Sequence, residues 1–389
     1  ISTALTIFGL ARRKYLSPKV ESTLTSGSPF VSVLAPARNE EHRVLSESIL
    51  SILGQDYTSF EVIAVNDRST DETGSILESL AKRDSRLRVI HSEELPDGWL
   101  GKPYALQQAL TEAKGEWILA TDADMIFDGS ALRAAMNRAL EEKVDAITLI
   151  PRFEALSFWE RVMIPTWMWV FLMFGVFYRI DDPKSPGAVG IGGFFLIKRS
   201  ILDRLGCYDV LKDEVMEDVR IAELIKRSGS RLLIAYAPNL LRTRMYTNFR
   251  EMWECGTKNW FSGVKFSVPF AMYCIVSMYS MAVAPAFILL LSAIGIATGS
   301  RFGLWLFLPS AIAWALQVLN LVLVSVRDGV SPLYSLTAPL GLGLHYAMLF
   351  DSCVRITIGK GVMWKGRKIY ERDGVRPPRV RVIASDAGK

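Results

Sequence analysis

Short apolar segments alternate with amphipathic segments over the first half of the chain. The apolar segments predict strands over residues 30–35, 60–65, 87–91, 117–121, 144–149 and 194–197. The amphipathic segments predict helices over residues 40–53, 71–82, 103–113, 130–141 and 215–227. Alternation at this spacing indicates βαβ units and a mostly parallel sheet, whose ligands bind beyond the carboxyl ends of the strands. The strand ends are therefore where functional residues are expected.

The second half of the chain contains three long segments without a charged residue: Phe266–Ser300, Phe302–Val326 and Gly329–Phe350. A helix of about 20 apolar residues crosses a bilayer core, so each segment is long enough to span. We predict a multi-pass transmembrane region over residues 263–352 and a basic cytosolic tail over 353–389.

Charge flanking the apolar segments refines this prediction. The apolar run Ile1–Ala11 stops at Arg12-Arg13-Lys14, which predicts the end of an N-terminal transmembrane helix over residues 1–16, followed by a polar linker over 17–29. Three later crossings would place the basic tail outside, against the positive-inside tendency. We therefore predict that Gly329–Phe350, which contains prolines, glycines and His345, does not span.

Aromatic residues are concentrated in residues 156–178, which carry no charge from Val162 to Tyr178. Acidic clusters before and after this segment are expected to serve one site, which excludes an odd number of crossings between them. We predict an interfacial helix. A buried core helix is the alternative.

Charge and composition exclude several kinds of partner and site. The net charge of +5 is modest and fits basic residues beside membrane segments, so no nucleic-acid partner is expected. The four cysteines form no C-x-x-C pair and there are three histidines, which argues against a zinc site or a disulfide framework.

Two carboxylates follow the predicted fourth strand, in Asp122-Ala123-Asp124. In an extended segment they point to opposite sides, so one can reach a ribose while the other holds Mg²⁺ or Mn²⁺. The cation would neutralise charge on a departing nucleoside diphosphate. A solvated turn with Asp as a helix N-cap is the alternative.

Further acids stand at the second strand and at a later helix. Asp67 ends the second strand, where a carboxylate can accept the N–H of a pyrimidine ring, while Ser69–Glu72 reads as a capping box for the next helix. Glu217 and Asp218 begin a helix, where a carboxylate can act as general base or simply favour the helix dipole.

Taken in order, these motifs resemble family 2 glycosyltransferases, which have a GT-A fold, over Phe30–Trp260. The resemblance implies that Pro36, Ala37, Arg38, Glu40 and Asp67 bind the nucleotide, that Lys102 of Gly101–Leu106 lies near the donor, and that Asp122 also contacts it. It further implies that Asp124 is the metal ligand and that Asp218, beside Glu217, is the catalytic base.

A narrower resemblance is to hopanoid-associated and carotenoid glycosyltransferases, with ceramide glucosyltransferase more distant. It depends on Gly98–Lys102 and Trp364–Tyr370. Relatives often contain a Q/R-x-x-R-W motif, but here the aligned segment reads Gly256-Thr257-Lys258-Asn259-Trp260. Trp260 remains and Lys258 is a candidate phosphate-binding cation; with Gly193 of the Gly-rich loop they form the predicted acceptor or diphosphate region.

These observations predict a GT-A domain over residues 30–262 that moves a sugar, by resemblance glucose, from a UDP-sugar to a lipid-like acceptor at the cytosolic membrane face, with inversion. One alternative is a processive polysaccharide synthase, which would need a larger transmembrane bundle. Another is a non-catalytic membrane scaffold. A nucleotidyltransferase fits less well, because it would not need Glu217 and Asp218.

Overall fold

The computed structural model describes residues 2–11, 14–18, 28–173, 187–371 and 374–378. The strands are, in chain order, β1 (Val31–Ala37), β2 (Phe60–Asn66), β3 (Leu87–His91), β4 (Trp117–Ala120), β5 (Met125–Phe127), β6 (Ala146–Ile150), β7 (Arg152–Phe153), β8 (Phe195–Lys198), β9 (Leu232–Tyr236), β10 (Leu241–Thr243), β11 (Lys360–Trp364) and β12 (Arg367–Glu371). The helices are α1 (Ser2–Ala11), α2 (Leu45–Leu53), α3 (Thr73–Ala81), α4 (Gly101–Glu112), α5 (Ala131–Glu141), α6 (Phe158–Met173), α7 (Arg199–Leu205), α8 (Glu217–Arg227), α9 (Phe249–Gly263), α10 (Val268–Ala282), α11 (Ala284–Ala297), α12 (Arg301–Arg327) and α13 (Ala338–Thr357).

The central sheet has the strand order β3-β2-β1-β4-β8-β6-β9. Its strands pair in parallel except for β8, which is antiparallel to both β4 and β6. The buried strands read as continuous apolar runs because both faces of the sheet are covered. The prediction of a mostly parallel sheet is therefore confirmed. Because β8 runs in the opposite direction, the loop that leads into it lies at the edge where β4 ends.

Each strand and helix predicted in the first half of the chain is present, with ends shifted by a few residues; the largest shift is in α2, which begins at Leu45. The predicted capping box at Ser69–Glu72 is wrong. Helix α3 begins at Thr73, and the side chain of its N-cap residue makes no capping hydrogen bond. Instead, the Ser69 hydroxyl accepts from Asn39 N at 3.1 Å and Glu72 N donates to Glu41 Oε2 at 3.2 Å, so the loop after β1 engages both residues of the expected box.

Two smaller sheets flank the central one. Strands β5, β10 and β7 form the first, and β11 pairs with β12 as an antiparallel hairpin. The N-terminal segment predicted as the end of a transmembrane helix forms α1, a helix of 10 residues that packs on α6 and α12. After it, Tyr15 forms a β-bridge with Tyr236. Most of the predicted linker, residues 19–27, and the pair Arg12-Arg13 lie outside the described residues.

The apolar segments of the second half form helices of unequal length. Within the described ranges, α12 is the one helix long and apolar enough to cross a membrane alone. Helices α9 and α10 qualify only as a pair, and they meet at 115°. The segment Phe266–Ser300 was predicted to be long enough for one span, but α10 ends at Ala282 and α11 has 14 residues. Helix α13, in the segment predicted not to span, has half of its residues buried and packs on α9, α10 and α6.

The aromatic segment predicted as an interfacial helix forms α6, which packs on α13, α12 and α1. Side chains on several of its sides are buried, among them Val162, Trp169 and Leu172. The structure therefore encloses α6 in protein, as in the alternative of a buried core helix. Residues 174–178 of the predicted segment lie outside the described part of the chain.

The C-terminal segment predicted as a basic cytosolic tail is folded over residues 360–371 into the hairpin β11–β12. Its strand β11 contacts α9 and α13. Tyr370 anchors the hairpin in front of α8: its hydroxyl donates to Asp213 O at 2.8 Å and accepts from Val215 N at 3.2 Å. This docking brings the basic turn of the hairpin to the carboxyl edge of the central sheet.

Candidate active site

A cavity of about 1030 Å³ opens at the carboxyl ends of β1, β2 and β4 and continues between α6, α10 and α13. Every site residue predicted from the sequence lines it: Pro36, Ala37, Arg38, Glu40, Asp67, Lys102, Asp122, Asp124, Gly193, Glu217, Asp218, Lys258 and Trp260. The residues at the ends of β1, β2 and β4 lie here because the carboxyl ends of these parallel strands meet at the same edge of the sheet. The approach of α8 and α9 to the same edge is a property of the tertiary structure.

Lys102 links two acidic segments of the site. Its Nζ lies 2.6 Å from Asp122 Oδ1 and 2.6 Å from Glu217 Oε1. Burial acts to lower the pKa of Lys102, but the charges of Asp122 and Glu217 outweigh it and raise that pKa well above its usual value. Burial acts to raise the pKa of Asp122, yet Lys102 lowers it. Lys102 is therefore held charged between the two carboxylates.

Asp218 is held in a different way from Glu217. Its Oδ2 accepts from Gly192 N at 2.7 Å and its Oδ1 accepts from Val219 N at 2.8 Å. Burial, followed by the charge of Glu217, raises the pKa of Asp218 to about 6. A carboxylate with a pKa close to the working pH suits proton transfer. Glu217 is buried and already paired with Lys102, so Asp218 is the better candidate for a base.

Glycines let the loop before β8 approach α8 closely. A Cβ at Gly190 would lie 2.0 Å from Asp218 O, and one at Gly192 would lie 2.8 Å from Lys102 Nζ. Gly192 also faces Asp122, whose Oδ2 would lie 3.3 Å from such a Cβ. The Gly-rich loop can therefore pass between Asp122, Glu217 and Asp218, which form the acidic cluster of the site.

The Asp124 carboxyl group lies near other acids and is not paired with a cation among the described residues. Among the described residues no hydrogen bond or ion pair engages its carboxylate. Burial, then the charges of Asp122 and Glu40, raises its pKa to about 7. The described residues contain no group of three or more His, Cys, Asp or Glu side chains arranged to hold a metal. A divalent cation therefore fits beside Asp124 only if a ligand such as a diphosphate supplies further oxygens.

Asp67 lies at the other end of the site. The backbone carbonyl of Asp67 accepts a hydrogen bond from Arg38 Nη1 at 2.7 Å. The side-chain oxygen Asp67 Oδ1 accepts one from Arg68 Nε at 2.8 Å. A Cβ at Gly101 would lie 2.4 Å from Asp67 Oδ2, so the start of α4 passes directly over the carboxylate. This packing turns the loop after β2 into a wall of the cavity.

The hairpin β11–β12 supplies site residues that the sequence interpretation placed in a tail. Lys365 forms an ion pair with Glu40 and donates to Arg38 O at 3.2 Å. Arg367 Nη1 lies 3.5 Å from Asp67 Oδ2. The sequence Trp364–Lys368 did contain a signal for a functional turn, because a lysine-glycine pair separates an aromatic residue from two basic residues. The local pattern does not predict which part of the fold this turn contacts.

Lys258 joins α9 to the same hairpin. Its Nζ lies 4.2 Å from the centre of the Trp364 ring, a cation–π distance. Burial lowers the pKa of Lys258. With Lys365 and Arg367, Lys258 forms a set of cavity-lining cations around the acidic cluster.

The far half of the cavity is apolar. It is lined by side chains of α6, α9, α10 and α13, among them Met163, Trp167, Trp260, Phe270 and Met348. This apolar chamber is continuous with the acidic cluster at Asp218. One cavity therefore joins a charged end to an apolar end.

Comparison with known proteins agrees with the resemblance to family 2 glycosyltransferases seen in the sequence. Residues 32–206 match the family model described as Glycosyl transferase family 2. Over 120 residues the chain is 32% identical to Glycosyltransferase GlyG of Streptococcus pneumoniae, covering 31% of this chain and 38% of that protein. Over 153 residues it is 33% identical to Beta-monoglucosyldiacylglycerol synthase of a Nostoc species, covering 38% of this chain and 31% of that protein. Over 215 residues it is 27% identical to Probable glycosyltransferase YdaM of Bacillus subtilis, covering 50% and 47%.

The chain thus spans about a third to a half of the length of these relatives. Among solved structures, the mannosyltransferase PcManGT from Pyrobaculum calidifontis, in complex with GDP-Man and Mn²⁺, superposes with a TM-score of 0.50 at 18% identity. The match covers 91% of this chain and 98% of that chain, and at this identity it shows a shared fold. Residues 32–206 therefore form a glycosyltransferase domain of family 2, built on the GT-A fold.

Proposed function

We propose that this protein transfers a sugar, by resemblance glucose, from a UDP-sugar to a hydroxyl of a lipid-like acceptor at the cytosolic membrane surface, with inversion. The observation that carries the proposal is the single cavity in which Asp67, Asp124 and Asp218 meet an apolar chamber. A nucleotide-sugar fits the charged end and a lipid fits the other. Asp218 stands where the two substrates would meet.

The donor occupies the charged end. Asp67 accepts the N–H of the pyrimidine base, and Asp122 contacts the ribose. Lys365, Arg367 and Lys258 would surround the diphosphate, because they are among the cations that line this part of the cavity. Asp124 and the donor diphosphate would together hold Mg²⁺ or Mn²⁺, which would neutralise charge on the departing nucleoside diphosphate.

Asp218 acts as the general base. It takes the proton of the acceptor hydroxyl while that oxygen attacks the anomeric carbon, and the bond from this carbon to the diphosphate breaks on the opposite side. The nucleoside diphosphate leaves with the bonding electrons, and the configuration inverts. Hydrogen bonds from Gly192 N and Val219 N hold the carboxylate in one orientation for this step.

A lipid acceptor is supported by the surface of the second half of the chain. Phe302 is 72% exposed, Trp305 81% and Leu308 65%, all on α12, and Tyr273 on α10 is 66% exposed. Apolar side chains exposed in such numbers on adjacent helices are typical of a membrane contact. One relative is named for a product built on diacylglycerol. Multi-pass insertion through α10–α12 is part of this proposal.

The test is incubation of the purified protein with labelled UDP-glucose, UDP-galactose and GDP-mannose in the presence of extracted membrane lipids and dioleoylglycerol. Mass spectrometry of the lipid fraction should reveal one added hexose per acceptor. A long sugar chain would indicate a processive synthase instead. Absence of any labelled product with all donors would overturn the proposal and favour a non-catalytic scaffold.

A further inference from the structure

The apolar chamber contains one histidine, His345, whose position is set by two glycines. A Cβ at Gly341, one turn earlier on α13, would lie 2.8 Å from the side chain of Thr166 and 2.8 Å from Val162 O, so α13 packs directly on the backbone of α6. On the other side, a Cβ at Gly256 of α9 would lie 2.4 Å from the sulfur of Met348. Helix α13 is thereby wedged between α6 and α9.

One ring nitrogen of His345 has a structural role. Its Nε2 lies 3.1 Å from Met163 O and 3.2 Å from Thr166 Oγ1. A carbonyl oxygen can only accept, so Nε2 must carry the hydrogen. Burial lowers the pKa of His345 to about 4, which keeps the ring neutral at physiological pH. The other nitrogen, Nδ1, is therefore a bare hydrogen-bond acceptor.

Nδ1 of His345 has no partner among the described residues, although the side chain is only 5% exposed. A buried polar atom without a hydrogen bond is costly and uncommon in folded proteins. His345 lines the cavity and its ring meets Trp260 edge-on, with 5.3 Å between the ring centres. Asn259 Oδ1 and the Tyr346 hydroxyl also line the cavity and also lack partners.

These atoms define what the chamber can bind. His345 Nδ1 and Asn259 Oδ1 only accept hydrogen bonds, so a pure hydrocarbon would leave both unsatisfied. A ligand that offers a hydroxyl or an amide N–H would satisfy at least one of them. Building on the proposed function, we propose that His345 Nδ1 accepts a hydrogen bond from a second hydroxyl or an amide N–H of the acceptor lipid, distinct from the hydroxyl that Asp218 deprotonates, and so determines acceptor specificity.

This role selects lipids by their polar region. Lipids with no donor besides the reacting hydroxyl bind less tightly, because the buried nitrogen then remains unpaired. Lipids with a second free hydroxyl or an amide N–H are preferred. His345 thereby adds a polar selection step to a chamber that otherwise recognises only hydrocarbon.

Two substitutions separate this role from the structural one. In His345→Gln the side-chain amide nitrogen can still donate to Met163 O, but no acceptor remains at the Nδ1 position. In His345→Asn an oxygen can stand at the Nδ1 position, but the bond to Met163 O is lost. The probes are 1-monooleoylglycerol and its 2-O-methyl ether, which share the terminal hydroxyl that would receive the sugar and differ in a second hydroxyl; their binding to the purified full chain is measured by native mass spectrometry.

The unsubstituted protein should bind 1-monooleoylglycerol about tenfold more tightly than the methyl ether, as expected for one buried hydrogen bond. His345→Gln should lose this preference with an unchanged Tm, and His345→Asn should keep it with a lower Tm. A preference retained in His345→Gln, or absent from the unsubstituted protein, would overturn the inference. UDP-glucose binding is measured on the same samples, so a failure of the proposed function would be recognised by itself.

Discussion

Arg367 Nη1 lies 3.5 Å from Asp67 Oδ2, which joins the C-terminal hairpin to the end of β2. The two side chains come from opposite ends of the chain, and Arg367 is the more accessible, at 30% exposed against 7%. Arg68 also pairs with Asp67, so a bound nucleotide could attract Arg367 away while Asp67 keeps a cationic partner. The hairpin forms a wall of the cavity beside Asp67.

We expect Arg367→Gln to raise the KM for the UDP-sugar about tenfold, because a charge-assisted contact to the diphosphate is lost. Steady-state kinetics at saturating acceptor measures the change. Lys360→Gln is the matched control, because Lys360 is an exposed residue of the same hairpin and is not part of the cavity lining. Equal donor KM values for Arg367→Gln and the unsubstituted protein would remove Arg367 from the donor site.

Asp218→Asn should abolish transfer while the protein folds normally, because the amide cannot accept the acceptor proton. The same change should raise the Tm by about 2 °C, since Asp218 has a raised pKa and its charged form destabilises the fold at neutral pH. Glycolipid formation and thermal unfolding are measured together. Asp209→Asn, an exposed position, should change neither; full transfer by Asp218→Asn would assign the base elsewhere.

The pH dependence of transfer should follow the ionisation of Asp218. Its pKa of about 6 lies above the usual value for aspartate, so the carboxylate is protonated, and inactive as a base, below that pH. We expect kcat/KM, measured at saturating divalent cation, to fall about tenfold for each pH unit below about 5.5 and to level off above about 7. A profile flat from pH 5 to 8 would contradict this role for Asp218.

Asp124→Asn should lower transfer at least about a hundredfold, because loss of the charge weakens cation binding. EDTA should inactivate the unsubstituted protein, and added Mn²⁺ or Mg²⁺ should restore it. Since the pKa of Asp124 is about 7, protons compete with the cation, and more metal should be needed at pH 6 than at pH 8. The solvent-facing Asp128→Asn serves as control. Full activity in EDTA would exclude the metal requirement.

The exposed apolar face of α12 should hold the protein on membranes. We expect the double variant Trp305→Glu with Leu308→Glu to float with liposomes at least about fivefold less than the unsubstituted protein, because both side chains are then charged at the bilayer. Arg83→Glu, at an exposed position after α3, adds the same side chain away from this surface and should float normally. Unchanged flotation of the double variant would assign membrane binding to other helices.

The local pattern of apolar and polar residues was enough to predict the strands and helices of the first half of the chain. Continuous apolar runs mark β1 and β2 because both faces of those strands are buried, and the acids that follow them stand where parallel strands end. Asp67, Asp122 and Asp124 could therefore be selected as site candidates without coordinates. The capping box at Ser69–Glu72 failed because Ser69 Oγ accepts from Asn39 N and Glu72 N donates to Glu41, and no local window contains these contacts with another loop.

Local sequence patterns were enough to predict the alternation of strands and helices, the acidic residues at the strand ends and the Gly-rich loop before β8, because these follow from side-chain periodicity within short segments. The reversed direction of β8, the docking of Lys365 and Arg367 beside Glu40 and Asp67, and the unpaired nitrogen of His345 could be seen only in the folded structure. Each of these depends on contacts between residues far apart in the chain. Their energies are set by burial and charge in the assembled fold.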